Sequence, residues 1–172
     1  MAEQRSSRRM KRLLALVFRL DQHDRFERSE IDSLDQQDRW CQRVATLIAK
    51  GRAQLGPSQL YQVAMICHHA DADLSARGLA MAKRAATQGH KEASFLVAAI
   101  TDSLLIRRGQ PQKYGTQYQL DRTTGRWMLA PIDERTDDTE RIALGLPVRR
   151  EIRAEMTEWR IEPVSSTVKQ AA

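Results

Sequence analysis

Cysteine is scarce in this chain of 172 residues: Cys41 and Cys67 are the two, far apart and outside any CxxC spacing. That excludes a disulfide framework and a zinc knuckle, and it points to a reduced, cytoplasmic setting. GxGxxG and the P-loop are both absent, so nucleotide phosphates have no cradle. No G-x-S-x-G elbow occurs, and Ser103 and Cys67 fall inside expected helices, which leaves nucleophilic catalysis without support. HExxH is missing too, and His23 and His90 stand alone. His69, Asp71 and Asp73, with or without His68, therefore fall short of a zinc site, and calcium wants a denser carboxylate loop. No metal and no cofactor are expected.

Aromatics make up 5% of the chain, against 41% hydrophobic and 29% charged residues. This is the composition of an ordinary globular protein, long enough for one buried core and short for two domains. The net charge of +6 suggests nucleic acid until it is located. Arg5, Arg8, Arg9, Lys11, Arg12 and Arg19 stand against Glu3 alone in residues 1–19, a net +5, so the other 153 residues carry +1. A basic arm, not a basic face, is what the charge describes, and nucleic acid is not expected as the partner. Ser7-Arg8-Arg9 before Leu13–Phe18 has the look of a twin-arginine signal, but that apolar run is six residues long and closes at Arg19. A membrane span needs about 20 residues, so none is expected.

What is present is helical periodicity. A first helix is predicted from Arg8 to Arg28, with Leu13, Leu14, Val17, Phe18 and Phe26 on its apolar side. Ser33 and Gln36 have capping-box spacing, and Trp40, Val44, Leu47 and Ile48 form a helical stripe behind them. Further helices are predicted over 58–70, 74–88 and 91–108, the last two closed by Gly89 and Gly109. The period then changes: 116–120 and 126–132 flank a polar loop as a β-hairpin. An acidic loop over 133–138 leads to two short helices, 139–144 and 148–159, separated by Gly145-Leu146-Pro147. The expected fold is mainly α: a single-domain bundle of five to seven helices with one hairpin after the fifth. Residues 1–11 are expected as a flexible basic arm, 12–160 as the domain and 161–172 as a frayed tail.

Two stretches carry candidate chemistry. His68-His69-Ala70-Asp71-Ala72-Asp73 is the densest titratable cluster, placed where an apolar helix ends. Adjacent residues lie about 100° apart on a helix, so one imidazole, His69, is assigned to a cleft as general base, oriented by Asp71. The plainer account makes Asp71 or Asp73 the N-cap of the next helix. Gly109-Gln110-Pro111-Gln112-Lys113-Tyr114-Gly115-Thr116-Gln117 has little that a core would bury. Gly and Pro punctuate it, and its amides, phenol and hydroxyls are recognition groups. Its plainer account is a corner, with Tyr114 packed and the amides satisfying the backbone where helix becomes hairpin. Asp21-Gln22-His23-Asp24-Arg25 is echoed by Asp35-Gln36-Gln37-Asp38-Arg39, and each copy sets Asp and Arg one helical turn apart.

The order Asp21-Gln22-x-x-Arg25, His69-Ala70-Asp71, Thr101-Asp102, Gly109-x-Pro111-Gln112-x-Tyr114-Gly115-Thr116-Gln117 resembles a family of small bacterial domains of unknown function. Arg141-Ile142-Ala143-Leu144-Gly145-Leu146-Pro147 is similar to its C-terminal signature, and the likeness covers residues 12–153. The resemblance implies a shared fold and a shared polar cluster, and no substrate. Two positions depart from the pattern: His68 stands where the family usually has Gln, and Ser103 where it usually has Arg. A single Sel1-type repeat is visible over 80–93, without the second copy that such scaffolds need.

The leading expectation is a small cofactor-independent enzyme or small-molecule binder, with hydrolysis, cyclisation and isomerisation all open. His69, Asp71 and Tyr114 would do the chemistry, while Asp21, Arg25, Asp102, Gln112, Thr116 and Gln117 would hold a small-molecule ligand. His69 is then expected within about 8 Å of Tyr114 or Gln112, close enough for one ligand to touch both. The alternative is a non-enzymatic protein partner, immunity or regulatory, that uses the basic arm.

Overall fold

The computed structural model describes residues 2–27, 39, 41–47, 55–121, 123–124, 126–152 and 162–163. Its helices are α1 (Ala2–Glu27), α2 (residues 41–47), α3 (Pro57–His68), α4 (Ala72–Thr87), α5 (Lys91–Arg107), α6 (Asp138–Ala143) and α7 (residues 149–152). The strands are β1 (Tyr118–Asp121), β2 (Arg126–Leu129) and β3 (Glu162–Pro163). The chain is thus mainly helical, with an antiparallel hairpin after the fifth helix. It divides into two compact units, Met1–Val97 and Ala98–Ala172, and the division falls within α5.

In the first unit α1 begins six residues earlier than its apolar pattern does. Residues 2–12 contain no Gly, Pro or β-branched residue, and Ala, Glu, Gln, Arg, Met and Lys all propagate a helix readily. The basic residues assigned to an arm are therefore turns of α1. Leu14 and Val17 point inward and are fully buried with Cys41 and Ala45 of α2 and Val63, Ile66 and Cys67 of α3. Val44 packs against this core, whereas Leu47 is 70% exposed. Among the described residues α2 buries Cys41 and Ala45, with Val44 of the predicted stripe packed beside them and Leu47 of that stripe exposed. Trp40, Ile48 and the Ser33–Gln36 capping box lie outside the described residues.

Pro57 supplies the first turn of α3, where its missing N–H is no loss, and Asp71 N-caps α4 by accepting from Leu74 N at 2.9 Å. α3 and α4 pack closely because Gly78 has no side chain. A Cβ there would lie 2.9 Å from Cys67 Cβ and 3.1 Å from the Ala64 carbonyl oxygen. Tyr61 stacks on His90, with ring centroids 4.4 Å apart.

In the second unit the hairpin pairs Tyr118 with Leu129 and Asp121 with Arg126. Asp121 closes its loop by accepting from Thr123 N and Thr124 Oγ1. β3 adds a parallel edge to β2, giving the order β1-β2-β3, in a region expected to fray. Pro163, which has no N–H to donate, is tolerated at such an edge. Asp137 N-caps α6, and Leu129 packs with Ile152 and Ile132.

Candidate functional site

His69 sits at the C-cap of α3, and its Nδ1 lies 3.5 Å from Asp21 Oδ2. Asp21 belongs to the inward face of α1 because it follows Leu14 and Val17 at helical spacing, and it is 3% exposed. Gln22 Nε2 donates to the same Oδ2 at 2.8 Å. His69 Nδ1 is buried while the side chain keeps 23% of its surface, so the exposure belongs to the rest of the ring. At 3.5 Å this is ion-pair distance and not a hydrogen bond: His69 Nδ1 is buried without a hydrogen-bond partner among the described residues, facing a buried carboxylate, with the other edge of the ring outward.

The carboxylate beside His69 is therefore Asp21, not Asp71 as the sequence spacing suggests. Asp71 is exposed and occupied as the cap of α4, because the first orphan N–H groups of a helix lie nearer to it than the imidazole does. At Cys67, two residues before His69, burial and then the charge of Asp21 push the thiol up to about 11, which disfavours the thiolate. Arg25 follows Asp21 by one turn of α1, and its side chain lies outside the described residues.

Gly109–Gln117 folds around two buried side chains of the second unit. Asp102, fully buried on α5, accepts four hydrogen bonds: Lys113 N at 2.7 Å, Tyr114 N at 2.8 Å, Thr116 N at 3.0 Å and Thr116 Oγ1 at 2.8 Å. Gln112, also fully buried, donates from Nε2 to the carbonyls of Gln117 and Ala130, and its Oε1 accepts from Gln117 N at 2.8 Å. Its backbone pairs with Pro131 and Asp133. The side-chain amide thus works as a peptide group does in a strand, joining residue 117 to the end of β2. Gln117 Nε2 donates to the Ala99 carbonyl and to Thr116 Oγ1. Tyr114 packs with Ala98 and Leu146. Gly115 adopts φ +75°, and a Cβ there would meet Ile132 Cδ1 at 2.9 Å.

For Asp102, Gln112 and Thr116 these bonds follow the corner account rather than a ligand. They meet the hydrogen-bonding needs of a buried irregular segment without one. His69 and Tyr114 belong to different compact units.

Outside that corner lies an open pocket of about 510 Å³, lined by Lys113, Asp133, Arg135, Thr136 and Glu140 among others. Its charges are already paired. Lys113 forms an ion pair with Glu140, whose hydrogen bond raises the lysine's pKa. Arg135 forks onto Asp133 and holds that carboxyl down to about 2. Within the acidic loop over 133–138, the Asp133-x-Arg135 spacing is the sequence signal for this fork.

Arg141 opens the C-terminal signature and is fully buried. Its Nε donates to the Pro147 carbonyl at 2.9 Å and lies 3.6 Å from Asp138 Oδ1, while Leu146 N bonds to its carbonyl. The signature therefore closes on itself, with Gly145 at φ +69° making the bend. Both terminal guanidinium nitrogens are buried without a hydrogen-bond partner among the described residues, and burial lowers the pKa of the group.

Among the described residues no cluster of three or more His, Cys, Asp or Glu is placed to hold a metal ion, and no helix is long and apolar enough to cross a membrane. Over residues 31–158 the chain matches DUF6624, a family of unknown function, and it belongs to that family. No curated protein and no solved structure matches it.

Proposed function

We propose that the protein is a small cofactor-independent enzyme in which His69, oriented by Asp21, removes a proton from a small-molecule substrate. The observation that carries this reading is the contact between buried Asp21 Oδ2 and His69 Nδ1 on a ring that stays partly exposed. Closing that 3.5 Å contact to a hydrogen bond when substrate enters would put the Nδ1 proton toward Asp21 and leave Nε2 as the atom that takes the substrate's proton. Arg25, one turn further along α1, is placed by sequence to neutralise an anionic substrate group. Hydrolysis, cyclisation and isomerisation each begin with such a proton removal.

The test compares the wild-type protein with His69→Gln and Asp21→Asn in small-molecule cell extracts, read by mass spectrometry for consumed and formed species. The general base contributes about 10²- to 10⁴-fold. His69→Gln is expected to abolish the conversion and Asp21→Asn to slow it strongly. ¹⁵N spectra should show the Nδ1-protonated tautomer of His69 in the wild type and its loss in Asp21→Asn. Identical extracts with wild type and His69→Gln, together with mixed tautomers, would sink the reading.

A second reading, an interaction protein without catalysis, is favoured by α1. Leu13, Leu16 and Leu20 are 44%, 46% and 37% exposed along one helical stripe, beside Arg12 and Arg19. Leucines flanked by arginines suit an acidic protein partner. Leu16→Ser with Arg12→Gln and Arg19→Gln should then weaken association and reduce its salt dependence, and unchanged binding would reject it.

A further inference from the structure

The first unit carries a groove between α2 and α4 whose chemistry neither reading above uses. Two adjoining pockets, of about 530 and 270 Å³, share Thr46 and Leu74 as their common wall. The floor is apolar: Leu47, which is 70% exposed, with Leu74, Ala80 and Met81. The polar side chains along its edges are mainly cationic, with Arg39, Arg43 from α2, and Arg77 and Arg84 from α4. Among the described residues Arg43, Arg77 and Arg84 have no salt bridge to a carboxylate, and no Asp or Glu lines either pocket. The nearest acids of α4, Asp71 and Asp73, lie at its N-terminus, where Asp71 is the cap.

The spacing identifies the occupant. On α4 the lining positions are Leu74, Arg77, Ala80, Met81 and Arg84, which step i, i+3, i+6, i+7, i+10. On α2 Arg43 and Leu47 stand one turn apart. Residues seven apart on a helix stand about 10.5 Å apart at 1.5 Å per residue. Apolar floor and cationic rim thus repeat together with a helical period on both walls, which is how a seam between two helices receives a third. A small amphiphilic anion needs one cation at one end of an apolar slot; here the arginines recur along its length.

We propose that this groove docks an amphipathic α-helix of a partner protein, with its apolar residues laid on Leu47, Leu74 and Met81 and its flanking Asp or Glu residues against Arg43, Arg77 and Arg84. Met81 suits such a floor because an unbranched thioether adapts to different side chains, and arginine takes carboxylates in a two-pronged grip. The site uses neither His69 nor the exposed leucines of α1, so it stands whichever of those readings holds.

The probe is a 21-residue synthetic helix with Leu at the a and d positions of each heptad and Glu at e and g, titrated into the full ¹⁵N-labelled chain. A second peptide carries Gln in place of every Glu, and decanoate serves as the small anion. The acidic helix is expected to bind at least tenfold more tightly than the Gln peptide, with shift changes centred on Arg43, Thr46, Leu74, Arg77 and Met81. Arg77→Glu/Arg84→Glu is expected to weaken it at least tenfold. Both positions are exposed, so thermal melts should match the wild type and separate lost docking from lost folding. Shifts centred on Leu13–Leu20, equal affinity for the two peptides, or decanoate filling the groove while the helix does not bind would each overturn the proposal.

Discussion

Asp102 shows what a single buried charge does when its surroundings are built for it. Both carboxylate oxygens are occupied, three of the four donors are backbone N–H groups, and α5 holds the side chain at zero exposure. Asn in its place is nearly isosteric, yet it turns one acceptor into a donor that faces other donors. Asp102→Asn should therefore destabilise the protein by about 3–5 kcal/mol in chemical denaturation, the range for breaking a buried charged network. A loss below about 1 kcal/mol would mean that the segment holds its shape without the charge. Asp133 is the opposite case, a solvated carboxyl governed by a neighbour. The Arg135 fork lowers its pKa from 3.8 to about 2, so the contact contributes fully above about pH 4 and is lost as the pH falls through about 2. An NMR titration of Asp133 should give that low midpoint, and Arg135→Ala should return it toward 3.8.

Helix packing in the first unit turns on one missing methyl group. Ala is about 1 kcal/mol better than Gly within a helix, so propensity alone has Gly78→Ala stabilising α4. The added Cβ would instead meet Cys67 Cβ at 2.9 Å and a carbonyl oxygen at 3.1 Å, and overpacking typically costs about 1–3 kcal/mol. Net destabilisation is expected, read as a lower melting midpoint; a higher one would show that α3 and α4 can slide apart freely. The same elements show how far local signals reach. Gly89 and Gly109, both with positive φ, end their helices where the sequence places them, and the hairpin follows the change of period after the fifth helix. On α2 the part played by Cys41 and Ala45 was not legible, because both are small and hydropathy ranks Leu47 above them. Close approach of helices is decided by volume, which periodicity does not register. Pairing of Asp21 with His69 was equally out of reach: both residues stood out as candidates, but 48 positions separate them and only packing of α1 on α3 joins them. In Gly109–Gln117 the punctuation was legible and the use of the polar groups was not, since an amide reads alike whether its partner is a ligand or a backbone.

Charge over the whole molecule is lopsided, with +5 of the net +6 within residues 1–19. Because those residues form turns of α1, the cations are spaced on a rigid rod. Clustered charge acts at longer range than the same charge dispersed, within the limit that salt screening sets at about 10 Å in 0.1 M salt. Arg8→Gln/Arg9→Gln/Arg12→Gln should therefore elute from a cation exchanger at clearly lower salt than Arg84→Gln/Arg108→Gln/Arg150→Gln, although both lose three charges. Equal elution would show that α1 does not present its cations together.

The buried side chains beneath Gly109–Gln117 also set a clock. Amide protons exchange with solvent at rates governed by how often their hydrogen bonds open, and irregular segments normally exchange within seconds. Here the amides of Gln112, Lys113, Tyr114, Thr116 and Gln117 are all bonded, three of them to one carboxylate, although the segment is neither helix nor extended strand. In deuterated buffer these amides should outlast that of Gln110, whose bond to the Leu105 carbonyl closes an exposed helix end, and keep pace with β2. The slowest-exchanging stretch of the second unit would then include residues that look, from backbone shape alone, like a loop.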